Sequence, residues 1–299
     1  MIYDCAVIGG GPAGLNASLV LGRSRRTVAL IDNAKPRNAV THQSHGFLTR
    51  DGIKPTEFRR IAYEEVLRYP TVHHWSTTVT DVIKEETQFH IATESGIQLQ
   101  ARKLILATGI GEMFPKIEGF YQFYGKSMFN CPYCDGWELQ DQPLIVVSEH
   151  PGLFHFTKVV YNWSKDLVVC TNGQSNLSKE QAGILLAKGL SVIEQPIRAF
   201  TGTDGMLEEV QFTDGSRITR AGGFASPIWS QRASFAERLG CVLDEWGGLI
   251  TDDLGRTTVK DVYAAGDTSR FGPSQLIIAA GQGSQAAIAV NSDLVEEEF

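Results

Sequence analysis

The strongest constraint on the fold is a glycine-rich turn near the start of the chain. Gly9-Gly-Gly-Pro-Ala-Gly14 directly follows the apolar run Tyr3-Asp-Cys-Ala-Val-Ile8 and precedes a helical pattern that extends to Gly22. A second apolar run, residues 27–31, ends at Asp32. Two short buried strands joined through one helix are expected to run parallel, because the crossover returns the chain to the same end of the sheet. The pattern therefore predicts a βαβ unit.

Each glycine of this turn suits a bound diphosphate. Gly9 allows the tight turn, Gly11 lets the backbone approach a pyrophosphate, and Gly14 permits close packing of helix on strand. The helix N-terminus points its unpaired N–H groups at the anion, and a carboxylate at the end of the second strand accepts hydrogen bonds from ribose hydroxyls. A turn without a ligand is the alternative. The predicted cofactor-binding residues here are Gly9, Gly11, Pro12, Ala13, Gly14 and Asp32.

Two later segments favour FAD as that cofactor. Lys103-Leu-Ile-Leu-Ala-Thr-Gly109 and Asp261-Val-Tyr-Ala-Ala-Gly-Asp267 resemble the second and third fingerprints of flavoproteins with two dinucleotide-binding folds. The resemblance implies that Asp267 binds the ribityl chain and that the following helix points its N-terminus at the flavin. A positive helix end there favours the anionic reduced flavin. Thr108, Gly109, Gly266 and Asp267 are therefore predicted to bind the cofactor.

The five cysteines divide into two groups. Cys5, Cys170 and Cys241 lie in apolar, strand-like surroundings, where a cysteine is usually a small buried hydrophobe. Cys131-Pro-Tyr-Cys134 is a C-x-x-C, which is either redox-active or half of a metal site. No second C-x-x-C or H-x-x-x-H completes a zinc site, so we predict no metal. A C-x-x-C at a helix start brings two thiols close enough to bridge and lowers a thiol pKa through the helix dipole.

Together, the flavin fingerprints, Cys131-Pro-Tyr-Cys134-Asp135-Gly136 and the late Ala-Ala-Gly-Asp resemble the low-molecular-weight thioredoxin reductase family over essentially the whole chain. The resemblance implies that Cys134 faces the flavin and that Cys131 meets the substrate. Asp135 would handle the proton, although a helix-capping role is the alternative. Gln275 falls where a glutamine of the family approaches the flavin, and a homodimer is expected.

The fold class that follows is α/β. It comprises two Rossmann-like dinucleotide-binding domains of the three-layer ββα type, with the second inserted into the first. The resemblance places the FAD-binding domain at residues 1–112 and 248–299, and the second domain, which carries the C-x-x-C, at residues 113–247. We expect strands at 71–75, 77–85, 88–93 and 103–107, the middle ones forming an antiparallel meander. The acidic end Glu296-Glu-Glu-Phe299 is expected to be solvated.

The second domain departs from the family where it ought to bind NADPH. Ser148-Glu-His-Pro-Gly-Leu-Phe154 follows the strand at 144–147 in place of a glycine loop, and Glu149 adds a negative charge. The next strand, Leu167-Val-Val-Cys-Thr-Asn-Gly173, ends without Arg or Lys. A nucleotide diphosphate needs close backbone N–H donors, and a 2′-phosphate needs cations. NAD(P)H is therefore an improbable cofactor.

A block of the first domain also departs from ordinary thioredoxin reductases. Pro36-Arg-Asn38, His42, His45-Gly-Phe47 and Arg50-Asp-Gly52, together with C-P-Y-C-D-G-W-E, resemble the dithiol-oxidase branch of the family, which forms intramolecular disulfides in small molecules and passes electrons to oxygen. Asn38 is thereby a candidate cofactor ligand. His42 and His45 are candidate bases near the outer thiol, with surface or packing roles as the alternative.

The charge composition of the chain argues against some classes of binding partner. The formal charge of -7 and the absence of any Lys/Arg run argue against nucleic acid. No apolar stretch is long enough to cross a bilayer, and residues 1–30 lack a secretory signal pattern, so we expect a cytoplasmic location. The predicted activity is FAD-dependent dithiol/disulfide exchange with a small dithiol or a small redox protein. The alternatives are an NADPH-dependent thioredoxin reductase, a ferredoxin- or flavodoxin-linked reductase, and a non-catalytic flavin redox sensor.

Overall fold

The computed structural model describes all 299 residues, which form two compact units. The first unit comprises Met1–Ala39, Gly46–Gly111 and Trp229–Phe299, and the second comprises Val40–His45 and Glu112–Ile228. The chain thus rejoins the first unit before residue 248, because Phe235 and Ala236 pack into that unit's core. The short stretch Val40–His45 groups with the second unit. The domain limits implied by the resemblance stay a prediction.

Seventeen strands alternate with eight α-helices and two 3-10 turns. The strands are β1 Ile2–Ile8, β2 Val28–Asp32, β3 Val72–Ser76, β4 Val79–Glu85, β5 Gln88–Thr93, β6 Gln98–Leu106, β7 Ile110–Met113, β8 Met128–Phe129, β9 Leu144–Val147, β10 Leu167–Cys170, β11 Ser191–Ile193, β12 Ile197–Thr203, β13 Met206–Phe212, β14 Arg217–Thr219, β15 Gly222–Ala225, β16 Ile228–Gln231 and β17 Val262–Ala264. The helices are α1 Pro12–Arg23, α2 Pro55–Val66, α3 Phe120–Phe123, α4 Pro132–Asp135, α5 Leu153–Val160, α6 Lys179–Ala187, α7 Phe235–Arg238 and α8 Leu276–Glu298, and the 3-10 turns are Arg37–Val40 and Gly266–Thr268.

A seven-stranded sheet forms the centre of the first unit, in the order β3-β2-β1-β6-β5-β4, with β17 also paired to β6. β1 pairs in parallel with β2 and β6, as the βαβ pattern predicts, whereas β4, β5 and β6 form the predicted antiparallel meander. Alternate residues of β1 enter two separate cores, Cys5 and Val7 on the α1 and α8 side, Ala6 and Ile8 on the other. A parallel strand covered on both faces reads as a continuous apolar run.

The second unit repeats this plan on a smaller scale. Its parallel sheet has the order β11-β10-β9-β15-β8, and β12, β13 and β14 form a three-stranded antiparallel sheet. Ile145 and Val147 of β9 point into one core, Leu144 and Val146 into the other. Both units therefore have the predicted three-layer α/β architecture.

The C-terminal acids are not merely solvated, contrary to the sequence-based expectation. α8 continues to Glu298, and the nearly fully buried Lys103 donates to Asp261 at 2.6 Å and also pairs with Glu297. Glu298 pairs with Arg26 at 2.7 Å. A buried ammonium is retained only when it is paired, so the end of α8 supplies counter-charges for the strand that carries the second fingerprint.

No helix is long and apolar enough to span a bilayer. The structure likewise contains no group of three or more His, Cys, Asp or Glu side chains arranged to hold a metal ion.

Candidate active site

A cavity of about 470 Å³ opens at the carboxyl ends of the parallel strands in the first unit. In open α/β sheets this is the edge at which ligands bind. Every cofactor-binding residue predicted from the sequence except Gly14 lines the cavity: Gly9, Gly11, Pro12, Ala13, Asp32, Asn38, Thr108, Gly109, Gly266, Asp267 and Gln275. Gly14 lies in α1.

Glycine is needed for different reasons at three positions of the turn after β1. A Cβ on Gly9 would lie 2.2 Å from the carbonyl oxygen of Ala107, and a Cβ on Gly14 would lie 1.8 Å from that of Gly9. These two positions must stay small for the protein itself to pack. Gly11 differs, because a Cβ there would meet no protein atom within 4 Å. Its open side faces space that a ligand can fill.

Two uncapped helix N-termini border the same cavity. Gly11 precedes α1 and Gln275 precedes α8, and neither helix start has a side-chain cap. Their first N–H groups therefore have no side-chain acceptor and are available to an anion or a carbonyl oxygen. This arrangement suits a diphosphate at α1 and the electron-rich edge of a ring at α8.

Asp32, at the end of β2, is bound more tightly than the sequence suggested. Its carboxylate accepts hydrogen bonds from the N–H of Gly10 at 2.9 Å, Nη2 of Arg59 at 2.8 Å and the hydroxyl of Tyr63 at 2.8 Å. Burial raises the pKa of Asp32, but the Arg59, Gly10 and Tyr63 hydrogen bonds outweigh it and hold the pKa below its usual value. Asp32 is therefore ionised, and Oδ1, which accepts from Gly10, keeps room for a hydroxyl donor.

Sequence reasoning missed Gly10, Arg59 and Tyr63, three partners of Asp32. A Cβ on Gly10 would lie 2.6 Å from Cγ of Asp32, so the middle glycine is needed for the carboxylate to approach the turn. Arg59 also donates from Nη1 to the carbonyl oxygen of Gly10 at 2.7 Å. Arg59 and Tyr63 are four residues apart on α2, and this spacing on one helix face was the only available signal.

Arg37 is a further missed residue that lines the cavity. Its Nη2 lies 3.0 Å from Oδ2 of Asp267, and its guanidinium carbon lies 5.4 Å from the Trp229 ring centroid. Gly266, which precedes Asp267, has a φ of +77°, a conformation that favours glycine. The N–H of Gly266 donates to Oε1 of Gln282 at 3.0 Å, which ties the third fingerprint to α8.

These features fit FAD. The cavity offers an open glycine turn, an ionised carboxylate for a ribose, two uncapped helix starts and a cation on its wall, which are the groups that a flavin dinucleotide needs. Residues of the α1 start would hold the diphosphate, Asp32 the adenosine ribose, and Asp267 with Gln275 the flavin half. When bound, FAD supplies two-electron redox chemistry.

The thiol pair lies in the second unit, where Cys131 and Cys134 form a disulfide. Cys131 precedes α4, and its carbonyl oxygen accepts from the N–H groups of Cys134 and Asp135. The helix expected here is only a single turn, four residues long, so its dipole is smaller than the sequence argument assumed. Cys5, Cys170 and Cys241 are buried and unpaired with one another, as predicted.

Asp135 has an unusual environment for a carboxyl group. Burial, and to a lesser degree the negative charge of Glu138, raise the pKa of Asp135 to about 7. A carboxyl group that titrates near neutral pH can both accept and donate a proton under ordinary conditions. Perturbed groups of this kind concentrate at functional sites, and Asp135 directly follows Cys134.

The two candidate histidines differ in their surroundings. His42 is exposed to solvent. His45 is half-buried, and its Nε2 lies 3.5 Å from Oε1 of Glu138, three residues after Asp135. Of the two histidines, His45 is therefore the one that contacts Glu138, an acid that follows the C-x-x-C.

The loop after β9 stands where the glycine turn would be in a second dinucleotide site. Nδ2 of Asn172 donates to Oε1 of Glu149 at 2.6 Å, and Oδ1 of Asn172 accepts from the N–H of Ile197 at 2.7 Å. Nδ2 of Asn176 donates to the carbonyl oxygen of the buried Ser148 at 2.6 Å. The loop after β9 is thus closed by side chains of the segment that follows β10.

The chain is similar to known proteins over nearly its whole length. Residues 3–283 match the model of the family described as pyridine nucleotide-disulphide oxidoreductase. TrxB from Bacillus anthracis is 52% identical, with a TM-score of 0.96 over 99% of this chain and 100% of that one. The crystal structure of HlmI is 34% identical, with a TM-score of 0.95 over 99% and 94% of the two chains.

A curated relative, thioredoxin reductase sirT from Leptosphaeria maculans, is 30% identical over 97% of this chain and 94% of its own length. These likenesses extend over both units. The chain belongs to the pyridine nucleotide-disulphide oxidoreductase family and is an FAD-dependent disulfide oxidoreductase of the thioredoxin reductase type.

Proposed function

We propose that the protein oxidises dithiols without NAD(P)H. In this reaction a small dithiol, or the dithiol of a small redox protein, reduces the Cys131–Cys134 disulfide. FAD, which the start of α1, Asp32, Asp267 and Gln275 would hold, would supply the two-electron acceptor that re-forms the disulfide. Oxygen would be the final acceptor and would leave as hydrogen peroxide. Cys131 is the thiol that meets the substrate, Cys134 is the one that faces the flavin, and Asp135 transfers the proton. We also expect a homodimer in the cytoplasm.

The observation that carries the proposal is the closed loop after β9. Glu149 adds a carboxylate to the loop that stands where a dinucleotide-binding glycine turn would be, and Asn172 is already bonded on both sides within the unit. At the start of α5, the N–H of Leu153 is engaged by the carbonyl oxygen of His150, and the Leu153 side chain is buried. A nicotinamide dinucleotide would lose several charge-assisted hydrogen bonds of about 1.5–3 kcal/mol each.

The end of β10 supports the same conclusion. Residues 167–173 contain no Arg or Lys, and the pair of Arg220 with Asp166 lies before the start of β10, at the opposite end of that strand. NADPH is distinguished from NADH by its 2′-phosphate, which is usually recognised by Arg. Neither the diphosphate nor the 2′-phosphate therefore has its usual partners.

The thiol half of the reaction rests on the C-x-x-C turn. A substrate thiolate attacks one sulfur of the Cys131–Cys134 disulfide, forming a mixed disulfide and releasing the other sulfur as a thiolate. The second substrate thiol then resolves the mixed disulfide. Two substrate S–H groups become one S–S bond while the protein gains two S–H groups, so two protons must move, and Asp135 titrates in the range that can carry them.

A second candidate function is NAD(P)H-dependent reduction of a disulfide, which the names of the relatives favour. Oxygen consumption separates the two. With dithiothreitol and no nicotinamide, we expect sustained oxygen uptake and one hydrogen peroxide per disulfide formed. An enzyme that oxidises NADPH in the presence of a disulfide substrate, and takes up no oxygen with the dithiol, is instead the reductase. Absence of turnover with either would favour a ferredoxin- or flavodoxin-linked enzyme or a redox sensor.

A further inference from the structure

The segment from Cys131 to Glu138 is held in a defined conformation. The N–H of Gly136 donates to the carbonyl oxygen of Pro132 at 2.8 Å. A Cβ on Gly136 would lie 2.7 Å from the Trp163 ring, which also packs edge-on against Tyr133 with centroids 5.4 Å apart. Because the aromatic ring fixes this turn, the side chains that follow the thiol pair have fixed positions relative to the sulfurs.

Glu138 lies three residues after Asp135 on this turn. Residues at this spacing in helical conformation lie on the same face, and the chain remains in the helical region at Gly136. The negative charge of Glu138 opposes ionisation of Asp135 and so contributes to its raised pKa, after the larger effect of burial. Glu138 itself is partly exposed, with 41% of its side chain accessible, so a partner is needed to hold it toward the turn.

His45 supplies that partner from the stretch Val40–His45, which belongs to the same unit. Its Nε2 lies 3.5 Å from Oε1 of Glu138, and 21% of its side chain is accessible. This contact joins two sequence segments that are almost a hundred residues apart. His45 thus reaches the acid that follows the C-x-x-C.

We propose that Glu138 and His45 are a pair of positioning residues that set when Asp135 gives and takes its proton. Glu138 acts on Asp135 through its charge, and His45 acts on Glu138 by holding the carboxylate near the turn. Neither residue touches the reacting sulfurs. The inference rests on the proposed dithiol chemistry and adds the groups that tune it.

The negative charge of Glu138 opposes ionisation of Asp135, and His45 faces Glu138 from the other segment. Trp163, which packs on the turn from beyond α5, is uncharged. Removing the charge of Glu138 must therefore lower the pH at which Asp135 ionises, since a like charge disfavours the ionised form.

The test uses the FAD-loaded protein and dithiothreitol without oxygen. The rate of flavin bleaching is measured from pH 5.5 to 8.5 and divided, at each pH, by the rate of Asp135→Asn. This ratio cancels the ionisation of the reagent and leaves the dependence on Asp135. We expect an inflection near pH 7 in the unaltered protein and a downward shift of roughly half to one pH unit in Glu138→Gln.

A double-mutant cycle tests the part played by His45. His45→Gln is expected to move the inflection when Glu138 is present and to leave it unmoved in the Glu138→Gln background. The exposed residues Glu180 and His155 lie elsewhere in the same unit, so Glu180→Gln and His155→Gln are the matched controls and should leave the inflection in place.

The outcomes are distinct. If Glu138→Gln leaves the inflection unmoved, or if His45→Gln shifts it equally in both backgrounds, the pair does not tune Asp135 and the inference is wrong. If dithiothreitol does not bleach the flavin of the unaltered protein at any pH, the proposed function fails instead. Circular dichroism of each variant separates a tuning effect from a loss of fold.

Discussion

The turn after β1 and the turn after β9 occupy equivalent places in two units of the same architecture and both precede an uncapped helix, yet they differ in glycine content, charge and the contacts that close them. The first is glycine-rich, is open at Gly11 and borders a cavity of about 470 Å³. The second carries Glu149 and Pro151 and is closed by Asn172. Architecture alone therefore does not specify a cofactor, because the side chains of one short turn decide whether a diphosphate can approach.

The largest expected effect is loss of FAD after a substitution in the first turn but not after the same substitution in the second turn. Gly11→Val should abolish retention of FAD, because the new side chain occupies open space at the start of α1 where the diphosphate would lie. Gly152 precedes α5 in the second unit and also has no atom within 4 Å of a built Cβ, so Gly152→Val is the matched control and should keep its FAD. The measurement is the flavin absorbance that remains after gel filtration. A yellow Gly11→Val protein would contradict the assigned diphosphate position.

Substitution of either thiol should abolish turnover, which depends on the second unit, without affecting FAD binding by the first unit. Cys131→Ser and Cys134→Ser should each reduce dithiol turnover by at least about a thousandfold, since neither variant can close the disulfide, while FAD content stays unchanged. With Cys134→Ser, an aromatic disulfide reagent should leave a stable adduct on Cys131, seen by mass spectrometry. Substantial turnover in both variants would show that the pair is structural, and an adduct only in Cys131→Ser would reverse the two thiol roles.

A smaller effect is expected at Arg59, which supports Asp32 rather than the cofactor. Arg59→Met removes two hydrogen bonds, to Asp32 and to the carbonyl oxygen of Gly10, and leaves a half-compensated carboxylate. We expect FAD affinity to fall by roughly tenfold to a hundredfold, equivalent to about 1.4–2.7 kcal/mol. Fluorescence of released flavin during titration gives the dissociation constant.

Arg220 of the second unit is the matched control. Its side chain is 15% accessible against 16% for Arg59, and it pairs with Asp166. Arg220→Met should therefore change thermal stability without changing FAD affinity. Equal losses of affinity in the two variants would mean that Arg59 acts only through general stability.

Much of this comparison could be predicted from the sequence, for a physical reason. Buried parallel strands, a glycine turn and a C-x-x-C are local patterns, so they specified the α/β fold and the residues that line the flavin cavity. Arg59, Tyr63 and Arg37 escaped because each reaches its partner only after distant segments meet. The ion pairs of Glu297 and Glu298 escaped for the same reason: an acidic end looks solvated until the buried Lys103 and Arg26 are placed beside it.

The assignment of residues 40–45 to a unit also depends on contacts that the sequence does not reveal. The family resemblance implies that the stretch containing His42 and His45 belongs to the first domain. In the structure Val40–His45 groups with the second unit. No local pattern in this stretch indicates which core it packs against, because it contains neither a regular apolar period nor a strand.

The most direct test of the central claim is anaerobic stopped-flow absorbance of the oxidised flavin, with NADPH, NADH and dithiothreitol mixed in separate runs. The closed turn after β9 and the absence of a cation at residues 167–173 predict that millimolar dithiothreitol bleaches the flavin while neither nicotinamide does so at a useful rate. Fast bleaching by micromolar NADPH or NADH would contradict the claim and identify an ordinary nicotinamide-dependent reductase.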